Sequence, residues 1–198
     1  MIGSMVVFLG AVVCEPTVGA TPGLIDDGWP VRSTGALTID GGLLMGAPAA
    51  LATGLSTGIG AGVMYGRNWF AWTARASWSS ATESSIAWNV THADLDLRAG
   101  AALKRDVGRG RLALRLGVGP TVVHETRTRN QGARAGLTGG ALQTSAFSML
   151  PAAELEAVVA VHVAGPWLLL LDGGPSVVLD GSTWRLGWIS QLGVGWQP

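Results

Sequence analysis

Few residues of this 198-residue chain have the type and spacing to do chemistry. Gly54-Leu55-Ser56-Thr57-Gly58 matches the G-x-S-x-G pattern of a nucleophile elbow. That motif works where a strand turns sharply into a helix and so exposes the serine. Here it opens a glycine-rich alternating run with no helical pattern behind it. Gly58-Ile59-Gly60-Ala61-Gly62 has the wrong glycine spacing for a dinucleotide fingerprint and lacks the following helix. The histidines are His92, His124 and His162. Only His124-Glu125-Thr126, with Ser84 or Ser85 approaching from a neighbouring loop, offers part of a Ser/His/acid set. A base must lie within about 2.6–3.2 Å of its nucleophile, and solvated loop residues explain the same letters. No metal-ligand spacing occurs. The single cysteine, Cys14, gives neither a disulfide framework nor a metal cluster. The reading is therefore of a non-enzyme: no catalytic residue, no cofactor and no metal.

The remaining candidates are charges held at alternate positions. Asp40, Arg75, Asp94, Asp96, Arg98, Arg115, Glu154, Glu156, Asp172 and Arg185 all fall on the polar side of alternating runs. The clearest run is Thr91–Lys104. Ala93, Leu95, Leu97, Ala99, Ala101 and Leu103 make one face; His92, Asp94, Asp96, Arg98, Gly100, Ala102 and Lys104 make the other. Period two is a β-strand, because successive Cβ atoms point to opposite faces. Its length exceeds the ~5–6 residues usual in soluble domains and fits the ~9–11 that a tilted membrane-spanning strand needs. A second charged group, Arg127, Arg129 and Arg134, makes the segment Thr126–Gln143 basic. Arginine binds phosphate bidentately, so contact with a phosphate-bearing surface is one reading, and a solvated loop is the other.

Composition agrees with a membrane strand protein. Charged residues are 13% of the chain, against about 25% in a soluble domain. Mean hydropathy is +0.37, yet no run of about 18 apolar residues exists to form a membrane helix. There are 30 glycines, nine tryptophans and one tyrosine. Lys+Arg and Asp+Glu are 13 each, which gives no electrostatic case for nucleic acid.

The positioning elements follow in order. Residues 1–20, with the apolar run Met5–Val13 and the small-residue site Val18-Gly19-Ala20, read as a signal peptide, although Met1–Ser4 carries no Lys or Arg. Residues 21–33 are a Pro/Gly-bearing lead-in, and 34–198 the structured domain. Eight alternating runs are predicted: Thr34–Met45, Leu55–Gly66, Asn68–Ser79, Trp88–Lys104, Arg111–Glu125, Thr144–Val163, Trp167–Leu179 and Thr183–Trp196. Connections after the second, fourth and sixth are tight. Those after the first, third and fifth (Gly46–Gly54, Ser80–Ala87, Thr126–Gln143) are longer, and the one after the seventh, Asp180–Ser182, is short. Short turns at one end and mostly longer loops at the other is the transmembrane-barrel pattern. It puts both chain ends on the periplasmic, short-turn side.

Which face looks inward decides the class. The polar faces are dominated by Gly, Ala, Ser and Thr rather than Lys and Glu, which suits a narrow interior better than a solvated surface. Aromatics sit on the apolar face near strand ends: Tyr65 and Phe70, Trp78, Trp184 and Trp196, where interfacial girdles lie. Trp72 and Trp188 fall nearer the middle. The fold class expected is all-β, an eight-stranded antiparallel up-and-down transmembrane β-barrel with its first and last strands paired. Leu95, Leu97, Leu112, Leu114, Leu116, Leu155, Val159 and Trp188 should then point outward.

The last run, with Leu186, Trp188, Leu192, Val194 and a final aromatic Trp196, resembles the C-terminal strand of the small eight-stranded outer-membrane β-barrels of Gram-negative bacteria, the OmpA/OmpX-like superfamily. Gln197-Pro198 after the aromatic departs from that pattern. The resemblance covers about Thr34–Trp196. It implies a bacterial outer-membrane monomer whose last strand is read by the assembly machinery, with lipid bilayer and lipopolysaccharide as its surroundings. The function expected is structural or surface-interacting, with the lumen plugged by polar and charged side chains. Eight strands leave an interior only wide enough for side chains to fill. Two rival readings are a soluble secreted lipocalin-like binding barrel and a lipid-modifying outer-membrane enzyme with its site at the rim. Within the lumen, Arg75 is expected near His92 or Asp94. Arg98 and Arg115 are expected to share an acidic cluster containing Glu154 or Glu156.

Overall fold

The eight runs form eight antiparallel strands: β1 (Ala36–Ala47), β2 (Ser56–Arg67), β3 (Phe70–Ser84), β4 (Trp88–Val107), β5 (Gly110–Arg129), β6 (Gln143–Ala164), β7 (Trp167–Asp180) and β8 (Thr183–Trp196). Each pairs with the next, and β1 pairs with β8, so the sheet closes into a barrel. The computed structural model describes residues 36–47, 55–85, 87–129 and 143–198. The signal-peptide reading, the lead-in, Cys14, Gly54 and Arg134 lie outside these residues.

Local chemistry explains the hairpins. Four turns have two residues: Asn68-Trp69, Gly108-Arg109, Gly165-Pro166 and Gly181-Ser182. Their first residues have φ of 57°, 55°, 52° and 60°. A positive φ at that position is that of the primed turns, whose twist matches the strands they join. Glycine takes it without strain, and asparagine is among the residues that tolerate it.

The third connection differs from expectation. Ser80–Ala87 is predicted as a loop, but β3 continues to Ser84 and a tight turn returns the chain to Trp88. The Ser85 N–H donates to the Trp88 carbonyl at 2.8 Å, and the Trp88 N–H donates to Ser85 Oγ at 3.1 Å. Thr82 and Thr91 face each other with hydroxyls 3.3 Å apart, a cross-strand pair that favours the ladder. β5 likewise runs on to Arg129, so Arg127 and Arg129 are strand residues, not loop residues. At this end β3–β6 rise above the rest of the ring. Among the described residues Gln143–Pro151 of β6 pair with β5 only, because pairing of β6 with β7 begins at Ala152↔Val178.

The sidedness follows the alternation. Leu95, Leu97, Leu112, Leu114, Leu116, Leu155, Val159 and Trp188 are all exposed on the outside, while Asp40, Arg75, Asp96, Arg98, Arg115, Glu154, Glu156 and Asp172 are buried inside. This inverts a soluble barrel, whose apolar face packs inward, and so sets aside the lipocalin-like reading. No helix of the described residues is long and apolar enough to cross a membrane; the crossing elements are strands. Leu168–Leu171 reads ambiguously in sequence. Here Leu168 and Leu170 point into the lumen and Leu169 and Leu171 out.

The orientation is testable. With the short-turn end in the periplasm, trypsin on intact cells is expected to cut first within Thr126–Gln143, after Arg129 or Arg134. First cleavage after Arg105 or Arg109, read by mass spectrometry of the fragments, reverses the assignment.

Candidate functional site in the barrel lumen

The lumen is built in layers. Nearest the short turns, Ala113, Val158, Ala160, Leu168 and Leu170 form a buried apolar cluster, and Met64, Ala71 and Ala102 form another. Arg111 on β5 reaches the Thr38 hydroxyl on β1 at 3.1 Å and also donates to Asp106 at 2.6 Å. β5 and β1 are not neighbours in the ring, so this contact crosses the lumen.

The next layer is a five-residue polar cluster. Glu156 on β6 lies opposite Arg115 on β5 in the ladder and accepts from its Nε at 2.7 Å. The Glu156 carboxylate also accepts from Arg75 on β3, again across the lumen. Arg115 reaches Asp172 on β7 at 3.2 Å, and Arg75 donates to Gln191 Oε1 on β8 at 2.7 Å. Glu156 thus holds two guanidinium groups while its side chain is 1% exposed. Neighbouring β4 carries Arg98 directly opposite Arg75. Two like charges so placed repel, and each turns to a different acid.

Arg98 belongs to a separate cluster further from the short turns. It donates to Asp96 Oδ1 at 2.7 Å, to Thr121 Oγ1 at 2.8 Å and to the Pro120 carbonyl at 2.8 Å, with Glu154 at 3.5 Å. Thr121 in turn donates to Asp96 Oδ1 at 2.5 Å.

The opposite wall makes room for these side chains. β8, β1 and β2 present Gly193, Gly195, Gly42, Gly58, Gly60 and Gly62 toward the lumen. A Cβ on Gly60 would lie 2.6 Å from Gln191 Oε1, and one on Gly62 3.0 Å from Asp40 Oδ1. One half of the ring supplies bulk and charge; the other half supplies space.

Several expectations need correction. Arg75 is not near His92 or Asp94; it faces Arg98, and Asp94 faces Ser79. The longer β3–β4 hairpin moves the register. Among the described residues Arg98 and Arg115 share no carboxylate: Glu154 and Asp96 serve the first, Glu156 and Asp172 the second. Arg185 stands apart from the clusters, half-exposed at the end of β8, where it pairs with Asp180 at 2.9 Å. Asp40 and Asp94 are buried, and neither forms an ion pair among the described residues; one oxygen of each has no hydrogen-bond partner there. The rim group that suggested an enzyme is not assembled. His124 points outward and stacks on Phe147 at 4.1 Å, whereas Glu125 faces inward toward His92, 3.7 Å away. Arg127 pairs with Glu125, and Arg129 lies 5.9 Å from the Trp88 ring, both on the inner face of the tall wall. Among the described residues no group of His, Cys, Asp and Glu is arranged to hold a metal ion.

A closed eight-stranded ring with an apolar exterior and a charged interior has the fold of a transmembrane β-barrel. Solved structures share this fold. Ail, the attachment invasion locus protein of Yersinia pestis, in complex with the heparin analogue sucrose octasulfate, is similar with a TM-score of 0.55 and 12% identity, over 83% of this chain and 99% of that one. Neisserial surface protein A gives 0.51 and 10% identity over 82% and 95%. A major outer membrane protein from Thermus thermophilus gives 0.52 and 14% identity over 83% and 100%. No family model and no curated protein matches the chain.

Proposed function

We propose that this protein is a closed, non-conducting outer-membrane barrel with a structural or surface-interaction role. One observation carries the reading: the Arg75–Glu156–Arg115–Asp172 cluster joins β3, β5, β6 and β7 across the lumen, with a buried apolar cluster on β5, β6 and β7 between it and the short turns. Guanidinium–carboxylate pairs in such surroundings are held by geometry and by mutual charge. Ions meet a continuous side-chain barrier.

The surface role is supported by the tall wall. Among the described residues Gln143–Pro151 present a strand edge without a partner, and Phe147 and Met149 beside it are each 73% exposed. Exposed edges of this kind are templates for strand addition by a partner. Arg127 and Arg129 on the inner face of the rim, with Arg134 in the segment that follows, would meet phosphate groups of lipopolysaccharide sugars that reach over the rim. The heparin analogue in complex with Ail is likewise a polyanion.

Purified protein in planar bilayers is expected to add no steady current to the bare membrane. A stable open channel at low voltage overturns the closed-barrel reading. The same recording on Glu156→Ala asks whether the cluster is a gate: unchanged conductance rejects that role and leaves the plug.

A further inference from the structure

The short-turn rim carries a feature that the lumen does not explain. β3 begins at Phe70, opposite Leu103 of β4, so the β4–β5 hairpin from Lys104 to Arg111 extends past it. The Trp69 turn sits in the resulting notch and is pinned there, its carbonyl accepting from the Lys104 N–H at 2.7 Å. The notch is an outward-opening groove of about 480 Å³, walled by Trp69, Leu103, Arg105, Leu112 and Leu114. Trp69 is 67% exposed. It meets Phe70 edge-to-face, and Phe70 meets Trp72 in the same way.

The groove is apolar with a cationic edge. By strand alternation Arg105 points outward in line with Leu103, and Arg67 points outward at the end of β2. Neither has an ion pair or hydrogen bond among the described residues. The nearest acid in sequence, Asp106, is bonded to Arg111. Arg67 and Arg105 lie two strands apart and two residues out of level, about 12 Å at ordinary strand spacing and rise, so they form a loose cationic edge rather than one shared site. Among the described residues the turn Gly165-Pro166, flanked by Ala164 and Trp167 elsewhere on this rim, brings no charged side chain. Among them the Arg67–Arg105 edge coincides with the aromatic-walled groove.

We infer that this groove holds one anionic phospholipid of the inner leaflet. The phosphodiester lies on Arg105 with Arg67 alongside. The ester region lies against the Trp69 indole, where aromatic rings favour the interface, and an acyl chain follows Leu103, Leu112 and Leu114. The inference needs the short-turn end to face the periplasm; it does not depend on whether the lumen conducts.

The full chain in proteoliposomes tests it, with tryptophan fluorescence quenched by brominated phosphatidylglycerol or brominated phosphatidylcholine. The difference between wild type and Trp69→Phe isolates the Trp69 signal. Brominated phosphatidylglycerol is expected to quench that signal at several-fold lower mole fraction than brominated phosphatidylcholine. Arg105→Gln should reduce the preference about fivefold, the contribution of one arginine near an anionic surface, and the Arg67→Gln/Arg105→Gln pair should abolish it. Folding of each variant is read from gel migration before and after boiling. Should a variant not fold, wild type at high salt serves instead, since screening must erase the preference. Equal quenching by the two lipids, or a preference that survives the double substitution or high salt, overturns the site.

Discussion

Replacing Glu156 by alanine is expected to destabilise the barrel by about 3–5 kcal/mol, the cost of leaving buried charge without its partner. The carboxylate is the common acceptor of Arg75 and Arg115. Without it, two guanidinium groups face each other across a narrow lumen. Asp172 compensates only in part, at 3.2 Å from Arg115 and 3.8 Å from Arg75. The double variant Arg115→Leu/Glu156→Leu should lose less than the single one, because it removes a charge of each sign and leaves Arg75 bonded to Gln191. Urea unfolding from lipid vesicles, monitored by gel migration, checks both. A single variant as stable as wild type, or a double variant less stable than the single, would mean that water enters and solvates the cluster.

The second large effect lies on the outside. Leu97→Lys is expected to cost about 2–4 kcal/mol, the penalty for a lysine facing lipid near the bilayer midplane. Leu97 stands opposite Ala76 of β3, well inside the paired ring and the apolar band. Leu114→Lys should cost less, because Leu114 pairs with Leu103 at the level where β3 begins, closer to the short-turn interface. Phe147→Lys provides the contrast. Phe147 is more exposed than Leu97, 73% against 42%, but it stands on the tall wall beyond the paired ring. Its change should be nearly neutral, apart from the stacking with His124. Equal costs at the two positions would show that the apolar exterior is not defined by lipid.

Alternation alone determined a great deal of this protein. Side chains of a strand have period two, so Leu95 and Leu97 were fixed to one face and Asp96 and Arg98 to the other before any partner strand was known. The paucity of charge, together with small residues on the polar faces, then decided which face was the interior. Glycine at Gly108, Gly165 and Gly181 marked turns because the backbone there needs a positive φ. The structure added what depends on closure. Register at the β3–β4 hairpin was set by the Ser85–Trp88 turn, and a shift there relocated Arg75 from the Asp94 level to a position facing Arg98. Contacts such as Arg75–Glu156 and Arg111–Thr38 join strands that are neighbours neither in sequence nor in the sheet. They exist only because the ring closes with a particular stagger, which strand periodicity does not encode. The same holds for the runs without alternation in polarity. Leu168–Leu171 is uniformly apolar, and only closure assigned Leu168 and Leu170 to the buried apolar cluster inside the ring. The chain thus specified its faces by local geometry, and the pairing of its buried charges by the curvature of the whole sheet.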